Sequence, residues 1–461
     1  MSRAARLYPL RQTHIEPDDD ALWNWAQNAQ IGSRHQVQRP ASEAELQRLI
    51  RESHGQIRVI GSKLSPGRML HVSESDVLLD LSALSGQLAS NEQSVTFGGA
   101  TPLEQVYRSL TEMNRMLASS PGVIAIQTLA GAMATGTHGQ GLQQSSIADE
   151  ALAIRMVLAD GSVREFVRGE ADFPAAQVSL GALGIVTAVT LRTEPLCIFT
   201  CHKNAVSADT LEEDLLRWNN DYPLSKAWWF VDDNLMHFWN AHEASDDERQ
   251  RYEAQGRQVV EHDGEGDDSL NDTIDQTLAH MHRDTQIQGK GGKQFRTVTR
   301  FRDFTDVTGD IYQLFCRGIA VPQINVEIGV PLAKTPAIIR RIKQWYAEHR
   351  PHMHYPIILR CTGASSAWLS PAADQPTCFF GFVVYYADDG SLSQEGLHFL
   401  TEVEKLLAEE GGRPHWGKYY DEERYNWREI YPQWDAFRAL RNQLDPQGRL
   451  GNDYITPLLT D

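Results

Sequence analysis

The 461-residue chain is short of several things, and each shortage removes a class of answer. Cysteine is scarce: there are five, Cys197, Cys201, Cys316, Cys361 and Cys378, and no two are spaced as CxxC. So odd and sparse a set excludes a disulfide scaffold and reads as reduced thiols of a cytoplasmic protein. No His–Cys cluster of zinc type surrounds Cys197 and Cys201, so no metal is expected. Positive charge is also in deficit, with 43 Lys and Arg against 61 Asp and Glu and a formal net charge of −18. That balance argues against nucleic acid and against an anionic membrane surface as partners. No apolar run approaches the length that spans a bilayer. The basic start, Met1-Ser2-Arg3-Ala4-Ala5-Arg6-Leu7, has no apolar stretch behind it, so no secretory leader is expected. No internal repeat is visible.

What is there points to a folded protein of two or three domains, because a single core stops growing well below this length. Asp18-Asp19-Asp20 leads into Ala21 to Ala26, where Trp23 and Trp25 read as packing residues. Ser42 followed by Glu45 is a capping box, which opens a helix over residues 43–50. Ile57 to Ile60, Asp76 to Leu81 and Ser94 to Phe97 read as strands. Thr101 to Met113 reads as a helix with Leu103, Val106, Tyr107 and Leu110 on one face. Strands over Val163–Val167 and Ile185–Leu191 complete an α+β unit with a mixed sheet. Further on, Asp232-Asp233-Asn234 between Trp228–Val231 and Met236–Trp239 is a hairpin signal. The acidic run from Glu261 to Thr277 reads as a solvated loop. Strands over 323–331, 357–361 and 378–385 with a helix over 335–349 suggest an antiparallel sheet backed by helices.

Three glycine-rich stretches carry the chemistry. The central one is Leu129-Ala-Gly-Ala-Met-Ala-Thr-Gly-Thr-His-Gly-Gln-Gly141. Glycine lets a backbone lie against a ligand, and hydroxyls with free N–H groups suit phosphate or a polar ring edge. By spacing alone this stretch is equally a turn between strands. A second loop lies upstream, Arg58-Val-Ile-Gly-Ser-Lys-Leu-Ser-Pro-Gly67, and a third downstream, Val178-Ser-Leu-Gly-Ala-Leu-Gly-Ile-Val186.

These three loops, in this order, resemble the FAD-binding domain of the vanillyl-alcohol oxidase type, and within it the aldonolactone oxidases and dehydrogenases. The C-terminal stretches His415-Trp-Gly-Lys418, Tyr431 to Phe437 and Leu444 to Tyr454 are similar to that family's closing segments. The resemblance implies an entry segment at 1–35, an FAD-binding domain at 36–196, a substrate-capping domain at 197–410 and a segment at 411–461 that returns to the flavin. It implies FAD contacts from Ile60, Gly61, Ser62, Lys63, Leu64, Ser65 and Pro66 around the pyrophosphate. Ser120, Gly122, Thr128, Gly131, Thr135, Gly136, Thr137, His138 and Gly139 would lie along the flavin, with Gly184, Ile185 and Val186 from the third loop and Lys418 from the end. Arg360 and Lys418 would be catalytic, their charge meeting the negative charge that builds on the substrate oxygen or flavin. His138 is read as fixing its glycine loop.

The chain departs from the family's pattern twice. Many relatives attach the flavin to a histidine in the first loop; Leu64 stands there, so FAD is expected to be held without a covalent bond. The family's Glu-x-Arg becomes Ile358-Leu359-Arg360, and Glu327 or Tyr420 are the candidates to replace the missing carboxylate. The function implied is oxidation of a secondary hydroxyl of an aldono-1,4-lactone or related sugar or polyol. A less polar alcohol, or a flavin protein with vestigial catalysis, are the alternatives. Gly122, nine positions before Gly131, corresponds to a residue that gates oxygen in the family, and glycine would leave a channel open there; Pro121-Gly122 is equally a plain turn dipeptide. The expectation is O2 as electron acceptor, with another acceptor as the alternative.

Overall fold

A computed structural model of the chain describes residues 20–260, 304–316, 322–387, 391 and 393–460, with short strands at 287–288 and 294–295. The acidic run expected to be a solvated loop lies outside the described residues.

The first half builds two main sheets where one mixed sheet was expected, beside two short two-stranded ones. A parallel sheet of three strands joins β1 (Val37–Gln38), β2 (Ile57–Ile60) and β3 (Val77–Asp80) in the order β1-β3-β2. Between β1 and β2 runs α1 (Glu43–Glu52), and the Ser42 hydroxyl accepts the Glu45 N–H as the capping box requires. Its inner residues Leu46 and Ile50 are buried with Ile57, Val77 and Leu79. The second sheet is antiparallel, from β4 (Gln87–Ser90), β5 (Ser94–Gly98), β6 (Ala151–Val157), β7 (Val163–Val167) and β8 (Ile185–Arg192), ordered β7-β6-β8-β5-β4. Two helices pack beside it: α2 (Leu103–Glu112), which buries the four apolar residues read as its inner face, and α3 (Leu129–Ala134), the start of the central glycine stretch.

The second half is dominated by one antiparallel sheet of eight strands. In chain order its strands are β9 (Phe199–Ser207), β10 (Leu224–Phe230), β11 (Leu235–Glu243), β12 (Phe304–Gly309), β13 (Gln323–Pro331), β14 (Ile357–Thr362), β15 (Thr377–Tyr385) and β16 (Arg413–Pro414). In space the order is β12-β9-β11-β10-β14-β15-β13-β16. Three helices, α4 (Leu211–Asp221), α5 (Thr335–His349) and α6 (Gln394–Glu409), bury one face of this sheet through Trp229, Phe238, Ile328, Leu359 and Phe380. Because side chains alternate along a strand, the other face carries a different set and looks toward the first half.

The chain's end fastens the halves together. The His415 N–H bonds the carbonyl of Glu327 at 2.9 Å and the Tyr419 N–H bonds that of Asn325 at 2.9 Å, which stitches the segment after β16 to β13. Further on, the Ile57 N–H reaches the carbonyl of Arg449 at 2.7 Å, and Asn452 Nδ2 bonds the carbonyl of Met69 at 3.0 Å. The last segment thus contacts both the eight-stranded sheet and the strand that feeds the first glycine loop. The central glycine stretch is tied to the same sheet, through the Gly141 N–H to the Cys361 carbonyl at 2.7 Å.

Candidate active site

A cavity of about 410 Å3 lies between the glycine loops and the open face of the eight-stranded sheet. Its sheet wall follows from register. Lys203 on β9 pairs with Trp239 on β11, Trp239 with Lys226 on β10, Lys226 with Arg360 on β14, and Arg360 with Phe379 on β15. Two residues along, a second row on the same face runs His237, Trp228, Ile358, Gly381 and Glu327. Gly381 has no side chain, and Ile358 packs closely over it from the next strand. The Arg360 guanidinium bonds Glu327.

The loops form the opposite wall. Ile60 to Ser65, Gly122, Thr128, Gly131, Thr135, Thr137, His138, Gly184, Ile185 and Val186 all line the cavity, with Lys418 at the sheet end. Lys63 has a left-handed backbone (φ 57°), which bends the first loop, and its carbonyl accepts the Trp25 N–H at 2.8 Å. Among the described residues, none engages the backbone N–H groups of Ser62, Lys63, Leu64 or Ser65. A run of free N–H groups beside a lysine is an anion cradle, and it fits the pyrophosphate of FAD. Leu64 offers that cofactor no nucleophile.

Charge concentrates at the sheet end. Glu327 is the one carboxylate among the described lining residues, and its side chain is 4% exposed. Burial pushes its pKa up, but Arg360, His138 and Lys418 outweigh that and hold it well below the usual carboxylate range. Burial pushes Lys418 down from the usual lysine value, with Glu327 opposing. It pushes His138 and His415 down as well, so both rings are neutral at neutral pH. The His138 ring stacks on Phe379 with centroids 3.5 Å apart. Lys226 is buried with its Nζ 4.1 Å from the Trp239 ring centre and 3.4 Å from the Gly122 carbonyl. Ligand atoms of His138, Glu327 and His415 lie within 4.8 Å of one another, a spacing a metal could use. Arg360 and Lys418 already act on that carboxylate, and their charge opposes a divalent ion there.

Several expected contacts sit behind the cavity wall. Pro66, Ser120, Gly136 and Gly139 do not line it. Gly136 takes φ 74° to end α3, while Ser120 accepts from Gln140 at 3.0 Å and holds the glycine stretch from within. Gly139 is pressed so closely against the Ser120 carbonyl and Gln144 that no side chain fits. Tyr420 is packed with Trp416, Tyr425 and Trp427 away from the cavity, whereas Glu327 is in it. Trp25 lines the cavity, although sequence alone read it as packing. The open channel expected beside Gly122 is filled: a Cβ there would overlap the Arg360 guanidinium. Glycine at this position makes room for that arginine. Sequence reasoning passed over Lys203, Lys226, Trp239 and Phe315, which lie on separate strands and a short helix with no local motif to mark them.

Comparison with known proteins agrees with this geometry. The family model described as D-arabinono-1,4-lactone oxidase matches residues 189–458, and an FAD binding domain model matches residues 35–166. The chain is 29% identical to an L-gulono-1,4-lactone dehydrogenase of Mycobacterium tuberculosis, covering 95% of this chain and 99% of that one. It is 23% identical to the L-gulonolactone oxidase of Mus musculus, covering 94% and 96%. A cholesterol oxidase from Brevibacterium sterolicum superposes with a TM-score of 0.71 at 14% identity, covering 98% and 100%, which is a likeness of fold.

Proposed function

The chain belongs to the D-arabinono-1,4-lactone oxidase family of FAD-dependent oxidoreductases, and on that premise we propose that it oxidises a secondary hydroxyl of an aldono-1,4-lactone or a closely related sugar. Bound FAD supplies the two-electron acceptor. The observation that carries the reading is that Arg360, Lys418 and Glu327 share one cavity with the three glycine loops. Arg360 and Lys418 bind the substrate oxygens and stabilise negative charge as it develops. Glu327, brought in from β13, supplies the carboxylate that Ile358 lacks on β14. That removes the reason to invoke a less polar alcohol. We read residues 36–196 as the FAD-binding domain and 197–410 as the cap.

The cofactor is proposed to be held without a covalent bond, because Leu64 occupies the attachment position. Acid precipitation checks this: the pellet is expected to be colourless, and a yellow pellet overturns it. Oxygen is the proposed acceptor. A second reading, a dehydrogenase passing electrons to a dye or protein, gains support from Arg360 filling the space beside Gly122. Stopped-flow reoxidation by oxygen separates the two. The test of the reaction itself is anaerobic mixing of the holoenzyme with L-gulono-1,4-lactone, D-arabinono-1,4-lactone and simple alditols. Bleaching of the flavin by a lactone is expected, and bleaching by none of these sugars would sink the reading.

No helix among the described residues is long and apolar enough to cross a membrane.

A further inference from the structure

The strand that brings in Glu327 carries two more polar side chains into the same cavity. Along β13, Gln323, Asn325 and Glu327 alternate with Ile324, Val326 and Ile328, and that apolar set is buried on the helix-covered face of the cap sheet. The polar set therefore falls on the open face, and all three of its members line the cavity. Two residues along a strand advance about 6.6 Å, so a polar row leads away from the carboxylate.

The two amides have no partner. Among the described residues neither Gln323 nor Asn325 makes a side-chain hydrogen bond, and both are half-buried. The Asn325 Oδ1 is buried, which leaves Nδ2 as the polar atom on the open side of that amide. Across the sheet Asn325 pairs with Val383 on β15, which packs with Ile358, so its neighbours there offer nothing to bond. At its other edge the Tyr419 N–H bonds the Asn325 carbonyl at 2.9 Å, which sets Asn325 beside the segment that carries Lys418. The unbonded amides thus begin where the charged groups end. A half-buried amide left unbonded is unfavourable, and a ligand hydroxyl removes that cost.

We propose that Asn325 and Gln323 form a subsite for the exocyclic hydroxyls of the lactone, Asn325 for the one nearer the ring and Gln323 for the next, so that the site selects a six-carbon lactone over its five-carbon counterpart. The proposal rests on the reading above, in which Arg360, Lys418 and Glu327 meet the ring oxygens. The order follows from position. Asn325 stands two residues from Glu327 and Gln323 four, and the extra methylene of glutamine lets its amide lean back toward Asn325. Each amide offers an acceptor and two donors, which suits a hydroxyl that does both. A site built to bond a hydroxyl penalises a substrate without it, because the site's own polar group stays unpaired.

The probes are L-gulono-1,4-lactone and D-lyxono-1,4-lactone, which share ring stereochemistry and differ by the terminal exocyclic carbon and its hydroxyl. Anaerobic flavin reduction against lactone concentration gives a dissociation constant and a limiting rate for each. The wild type is expected to bind the six-carbon lactone about 10-fold more tightly. Gln323→Leu should bring that lactone to the level of the five-carbon one without moving the latter, while Asn325→Leu should weaken both about 10-fold. Equal weakening of both lactones by Gln323→Leu, or an unchanged preference, overturns the proposal. Loss of FAD from either variant assigns the amide to the cofactor and overturns it too. Gln323 is half-buried at the first position of β13, so its variant decides the matter even where Asn325→Leu does not fold. If neither lactone reduces the wild-type flavin, the reaction reading has failed, and calorimetric titration of the FAD-loaded protein with the same two lactones still decides the subsite: a preference lost in Gln323→Leu supports it, and equal or absent binding overturns it.

Discussion

The first glycine loop and the side-chain rows of the cap sheet face each other across one cavity, yet they are built in opposite ways. The loop is contiguous, and Ser62 to Ser65 present backbone N–H groups. The sheet wall is discontinuous: Lys203, Trp239, Lys226, Arg360 and Phe379 come from five strands, aligned by register alone. Backbone groups tolerate exchange of the side chains around them, so the loop keeps a pattern that can be read. A row of side chains keeps only its geometry. A function can therefore pass from one strand to another, as the carboxylate here stands on β13 at Glu327 while Ile358 occupies β14. The comparison predicts that changes in the wall strike chemistry or stability, while the loop governs retention of FAD.

The largest effect is expected from Arg360→Leu. It leaves Glu327 buried without its main counter-charge, which costs about 3–5 kcal/mol of stability. Adding Glu327→Gln should return most of that loss, because the uncompensated charge is gone. Urea unfolding of the two single variants and the double variant measures it. Additive losses would show that the pair does not interact.

Lys418→Ala comes next. It removes a cation aimed at developing charge, worth about 3 kcal/mol, or roughly 100-fold in flavin reduction. FAD content should hold, because the free N–H groups of the loop remain. Loss of FAD with an unaltered reduction rate would move Lys418 to the cofactor's side of the comparison.

Gly122→Ala separates the two walls, since Gly122 belongs to the loop side and Arg360 to the sheet side. The methyl group displaces Arg360, an overpacking worth about 1–3 kcal/mol. Reduction by substrate should slow along with reoxidation by oxygen. Slowing of reoxidation alone would restore the channel reading of this glycine.

Much of this was legible in the residues, for physical reasons. α1 announced itself by its Ser42 cap, and the strand 323–331 by its β-branched run ahead of Pro331. The loops were legible from their succession, three glycine-rich stretches in the order of one family, since by spacing alone such a stretch is equally a turn. The sheet wall was not. Nothing local to Lys226 indicates that a strand 134 positions later (Arg360) will pair with it, and sheet order is set by packing over the whole domain. Gly122 was misread for a related reason: its spacing from Gly131 was visible, but the side chain that fills its space comes from β14.

A smaller effect comes from a buried ring beside Tyr385 at the end of β15. His354 accepts the Tyr385 N–H at its Nδ1 at 3.0 Å, and burial pushes its pKa down to about 3. Its unfolded value is near 6.5, so below about pH 6.5 the unfolded chain binds a proton that the folded one refuses. Stability is then lost as pH falls toward 3, by up to about 1.4 kcal/mol per pH unit from this residue, and is unaffected by it above pH 7. His354→Asn keeps an acceptor near the same place without titrating, and should flatten the slope between pH 7 and pH 5 in urea melts. An unchanged slope would assign the acid sensitivity elsewhere.

The most direct test of the account is to move the carboxylate. Glu327→Gln should slow anaerobic flavin reduction by L-gulono-1,4-lactone about 100-fold, and adding Ile358→Glu to that variant should recover much of the rate, since position 358 lines the same cavity and lies two residues from Arg360 on the same face of its strand. A Glu327→Gln enzyme that reduces its flavin at the wild-type rate, or a double variant that folds, holds FAD and stays as slow as the single one, would contradict the claim that the site's carboxylate has been relocated across the sheet.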